Sequence, residues 1–245
     1  MNFTILDHIF FFIIGIVLPA LSLVRGKVDM DVLDFKPADK RKFYYANGGI
    51  LWIGAIVVFI LWVLSGRPFS AMGLQWPVTD GLVVIFVLIF LFLYFMEMVA
   101  ETKNSQNFDE LRKSAAFLPR NKTELAHFSF LAFSAGVCEE IVYRGFLVTY
   151  LYYMINDPMW SYHVAVVLPA LIFGAVHIYQ GYKAAMKITV MSLLLGTIFI
   201  FSKSLLIVII LHIGIDLIGG VIGMNLFNKM EELDNEESQG DEEIP

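Results

Sequence analysis

Long apolar runs separated by short polar segments dominate the chain from residue 8 to residue 226. About 20 residues of helix cross the hydrocarbon core of a bilayer. Apolar runs of that order fall at roughly 8–24, 48–65, 81–100, 125–154, 161–180, 184–201 and 204–226. The pattern predicts an all-α fold, a polytopic transmembrane helix bundle of seven spans. The run at 125–154 is too long for one perpendicular crossing. It predicts a tilted helix or one entered through an interfacial turn, and it leaves room for an eighth element. The N-terminal stretch MNFTILDHIFFFIIGIVLPALSLVRG carries an acidic residue where a cleaved signal peptide is basic, so it reads as a retained first span.

Composition sharpens this picture. Of 245 residues, 58% are hydrophobic and only 16% are charged, too little polar surface for a soluble domain of this size. The formal net charge of −6 hides a segregation of sign. Arg25, Lys27, Lys36, Lys40, Arg41 and Lys42 fall in the segment 25–47, and Lys103, Arg112, Lys113, Arg120 and Lys122 in the segment 101–123. The segment 66–80 has Arg67 alone, and the segment INDPMW has no basic residue. Basic loops stay in the cytoplasm. The chain is therefore expected in the plasma membrane with its N-terminus outside and its C-terminus inside. Residues 231–243 hold eight acidic side chains and no basic one, a composition that predicts a solvated, disordered tail. Nothing resembles a nucleic-acid-binding patch.

Ionisable groups at bilayer depth are costly, so each needs a partner or a purpose. The stretch AGVCEEIVYRGFL, 135–147, places Glu139, Glu140 and Arg144 in one apolar helix. Glu140 and Arg144 are spaced i, i+4 with the acid first, the favourable order for a helical ion pair. Glu139 lies about 100° further round the helix and must face something else. Two later spans offer partners: Phe173 and His177 in FGAVH, and His212 and Asp216 in LHIGID, each pair one turn apart. His8, His127 and His163 lie near span ends and read as interfacial, and Glu97 can reach the cytoplasmic face. The single cysteine, Cys138, excludes an intramolecular disulfide. An apolar neighbourhood with a carboxylate beside it disfavours a thiolate, so Cys138 reads as a small packing residue.

In order, Glu139-Glu140-x-x-x-Arg144, Phe173-x-x-x-His177 and His212-x-x-x-Asp216 resemble the motifs of the CPBP intramembrane proteases, the CAAX-protease and bacteriocin-processing group also called the Abi family. The segment SAMGLQWP, 70–77, looks like a short stretch that many bacterial members carry before their core. The resemblance covers roughly residues 120–225. It implies a three-span N-terminal region over 1–123, a catalytic core over 124–228 and the acidic cytoplasmic tail over 229–245. It also implies an intramembrane endopeptidase acting on a membrane-associated peptide or protein, with bacteriocin processing or self-immunity as candidate settings. By resemblance, Glu139 activates water with help from His177, and His212 and Asp216 hydrogen-bond the oxyanion. Glu140, Arg144 and Phe173 are supporting residues. An ionised Asp216 cannot donate, so it must be protonated or act by orienting His212.

One carboxylate and two imidazoles also suit a catalytic zinc, with Glu139, His177 and His212 as candidate ligands. The family chemistry is expected to be either glutamate-dependent without metal, the favoured form, or that of a metalloprotease. No HExxH or GxGD motif supports another intramembrane protease chemistry. Two other classes stand beside the protease: a proton-coupled transporter, which predicts a repeat or paired half-helices that the sequence lacks, and a non-catalytic scaffold.

Overall fold

A computed structural model describes residues 1–26, 37–103 and 117–242. Lys27, Lys36, Arg112 and Lys113 lie outside the described residues. No strand occurs among the described residues, and the all-α expectation holds. Seven helices follow the seven apolar runs: α1 (Ile5–Arg25), α2 (Pro37–Leu64), α3 (Gly81–Lys103), α4 (Lys122–Ile155), α5 (Trp160–Val176), α6 (Tyr182–Ser202) and α7 (Leu205–Glu242). All but α5 contain a stretch long and apolar enough to cross a membrane, and α5 is a shorter apolar helix. In hydrocarbon a backbone satisfies its own polar groups only as a helix or a closed barrel, which is why the apolar runs and the helices coincide. Beyond its apolar part α7 continues as helix into the acidic segment.

The long run at 125–154 is one helix, not two elements. It accommodates its length through a change of winding: Ile141–Val148 is π-helical, and all eight of those residues are buried. Segments of this kind are rare and recur at functional sites.

Helix α4 is the centre of the bundle, packed against α2 and α7 and, through its second half, against α5. Gly136 sets its distance from α7. A Cβ there would lie 2.5 Å from Ile213 Cγ1, so the two backbones approach more closely than a larger residue permits. Gly136 stands one turn before Glu140, and Ile213 follows His212 directly, so this close approach brings two of the three motifs together.

The segment 70–77 braces the turn between α6 and α7. Phe69–Met72 forms a 3-10 turn, and Gly73 follows at φ +85, where a residue with a side chain would be strained. The Gly73 carbonyl accepts from the Leu205 amide at 2.8 Å, Gln75 Nε2 donates to the Lys203 carbonyl at 2.9 Å, and Ser204 Oγ donates to the Gln75 carbonyl at 2.6 Å.

Two basic residues that fall between apolar runs are buried, Arg67 in its expected loop and Lys40 inside a helix. Lys40 lies within α2 and pairs with Glu124 of α4 at 2.9 Å. Arg67 pairs with Asp7 of α1 at 2.6 Å, between the rings of Phe3 and Trp62.

Candidate active site

Glu139 and Glu140 close the α-helical part of α4, just before the winding widens. Adjacent helical residues point in different directions, and the structure uses both. Glu140 is fully buried. Its Oε1 accepts from Arg144 Nη1 at 2.8 Å and lies 2.7 Å from His212 Nδ1 on α7. Arg144 Nη2 donates to Ser192 on α6, to its carbonyl at 3.0 Å and its Oγ at 2.9 Å. The expected pair is thus the centre of a tie joining α4, α6 and α7. A carboxylate that already accepts from a guanidinium can only accept from the imidazole too, which assigns a proton to His212 Nδ1.

Glu139 faces the other way, into a cavity of about 1120 Å³ that it lines together with His177, His212 and Asp216. The four candidate catalytic residues therefore share one space. His212 Nε2 lies 3.8 Å from Glu139 Oε2 and 3.7 Å from Asp216 Oδ2, too far for direct hydrogen bonds. His177 caps the end of α5. Its Nδ1 is 2.7 Å from the Phe173 carbonyl, which can only accept, so Nε2 is the nitrogen left for the cavity.

Phe173 is the wedge that these groups share. Its ring centroid lies 4.5 Å from that of His177, 6.4 Å from that of His212 and 4.7 Å from that of Tyr143, with the Arg144 guanidinium 5.4 Å away. The cavity lining also bears Arg25, Asn47, Gln180 and the Glu97–Lys187 pair, whose charges are 2.9 Å apart. Cys138 is buried in the cavity wall.

Sequence reasoning missed two residues here. Ser192, the second anchor of Arg144, is 48 positions away and carries no motif. Tyr143 also lines the cavity, and its i+4 spacing from Glu139 was a signal that could have found it. Among the described residues no three His, Cys, Asp or Glu side chains group so as to hold an ion in this arrangement. The hydrogen bonds at Nδ1 leave Nε2 of His177 and of His212 for the cavity, as the outer hydrogen bonds of ligating histidines also do.

No curated protein and no solved structure matches the chain. Residues 121–218, which hold every residue of the three motifs, match the family model of the Rce1-like type II CAAX prenyl endopeptidases, a match consistent with the CPBP resemblance of the motifs.

Proposed function

We propose that the chain is an intramembrane endopeptidase that hydrolyses a peptide bond of a membrane-associated peptide or protein, with Glu139 as its base. The observation that carries this reading is the convergence of Glu139, His177, His212 and Asp216 on one cavity large enough for several residues of a peptide. In the reaction, Glu139 takes a proton from a water molecule held near His177. The water oxygen adds to the scissile carbonyl carbon, whose π electrons move to its oxygen. The C–N bond then breaks, and the leaving amine takes the proton from Glu139. His212 is held in place by Glu140 and faces the oxyanion with Asp216 behind it. Arg25, Gln180 and Lys187 are polar groups of the cavity lining, and the excess of basic residues in the first and third loops supports a cytoplasmic position for the cavity mouth near them. Substrate then enters from the cytoplasmic leaflet. A membrane-anchored peptide, a bacteriocin precursor or leader and an anti-sigma-type protein are the candidates that the family resemblance offers.

The test is a map of new protein termini, by mass spectrometry, in membranes from cells making the wild type or Glu139→Gln. Termini that appear only with the wild type support the endopeptidase and identify its cleavage junctions. Identical maps sink it.

A further inference from the structure

Tyr143 follows Glu139 by one helical turn, and positions four apart share a helix face. Both line the cavity. The Tyr143 ring is 7% exposed and packs edge-on against Phe173. Its two torsions are thereby fixed, and so is the place of its hydroxyl. Other well-buried tyrosines have engaged hydroxyls: Tyr44 donates to the Phe117 carbonyl at 2.5 Å, and Tyr150 lies 2.6 Å from His8 Nδ1. The Tyr143 hydroxyl makes no hydrogen bond to any described residue. The hydroxyl is not sealed off as Glu140 Oε2 is, so a partner can reach it from the cavity.

The charges around the reacting carbonyl point to that partner. An oxyanion needs donors, and this site is short of them. An ionised Asp216 only accepts, and with the Nδ1 proton of His212 committed to Glu140 only Nε2 of that ring is left to face the oxyanion. An asparagine at 216 would bring an amide N–H; the aspartate of this chain does not. A phenol is a donor at neutral pH whatever the state of its neighbours.

We propose that Tyr143 is a further catalytic residue, whose O–H donates a hydrogen bond to the oxyanion formed when water adds to the scissile carbonyl. No covalent bond to Tyr143 forms or breaks, and the phenol keeps its proton throughout. The proposal rests on the endopeptidase reading above. Tyr143→Phe removes one oxygen and keeps the ring against Phe173. On a fluorogenic peptide spanning a junction mapped by the termini experiment, kcat is expected to fall by about 10²-fold, as on loss of one oxyanion donor. KM and the thermal unfolding temperature are expected to stay unchanged. Asp216→Asn added to Tyr143→Phe is expected to restore part of the lost kcat. A Tyr143→Phe enzyme with wild-type kcat, or one whose loss lies in KM or in the unfolding temperature, overturns the proposal. A wild type that cleaves no mapped junction is a failure of the endopeptidase reading instead.

Discussion

His212 and Glu140 meet side chain to side chain, Nδ1 to Oε1 at 2.7 Å, on the same oxygen that Arg144 holds at 2.8 Å. The two adjacent glutamates thus have different work. Glu140 holds an arginine and an imidazole inside the bundle, while Glu139 faces the cavity. Glu139→Gln is expected to abolish cleavage with folded yield unchanged, since it removes the base and keeps the shape. Glu140→Gln is expected to lower both activity and folded yield, because breaking a buried ion pair costs about 3–5 kcal/mol. Yield after gel filtration and thermal unfolding check this. Equal folded yields for the two variants would remove the division of labour.

Part of this arrangement was legible in the sequence. The helices follow from hydropathy because a bilayer leaves the chain little choice of conformation, and the Glu140–Arg144 pair follows from helical spacing. The partners across the bundle were not legible: His212 is 72 positions from Glu140, Glu124 is 84 from Lys40 and Asp7 is 60 from Arg67. Lys40 and Arg67 fall between apolar runs, and a basic residue there gives no sign of a distant acid that buries it. The π-helical winding of Ile141–Val148 has no periodic signature in a run that is apolar on nearly every side.

Gly174, between Phe173 and His177, marks where α5 presses closest on α6. A Cβ there would overlap the Thr189 side chain outright. Gly174→Ala is expected to push the end of α5 away from α6 and to cost about 1–3 kcal/mol of stability, as overpacking does. Cleavage should fall further than the loss of folded protein explains, because His177 moves with that end. Activity per folded molecule, from an active-site-independent count of protein, is the measurement. A Gly174→Ala enzyme as active per molecule as wild type would show that the placement of His177 tolerates the shift.

Orientation is open to a direct test. In a Cys138→Ala background, a cysteine at the exposed Arg41 is expected to resist a membrane-impermeant thiol reagent applied to intact cells, whereas one at the exposed Met159 is expected to react. The reverse pattern would invert the bundle and place the cavity mouth outside the cell.

Asp216 separates the two chemistries open to the family. Its Oδ2 lies 3.7 Å from His212 Nε2, so both groups can face the same oxyanion. If residue 216 serves the oxyanion, an amide donates without needing a proton, so Asp216→Asn is expected to keep much of the activity. Asp216→Ala is expected to lose about 10²–10³-fold, the usual cost of a missing oxyanion donor. If the carboxylate instead ligates a metal or steers a ligating histidine, the amide fails as well, since such changes cost about 10–100-fold on their own. Purified wild type, Asp216→Asn and Asp216→Ala are compared on one peptide, each with and without a strong chelator. The metal-free route predicts an active Asn variant that the chelator leaves alone. An inactive Asn variant beside a chelator-sensitive wild type would overturn that route and make the enzyme a metalloprotease, with the donor set rearranged from the one described.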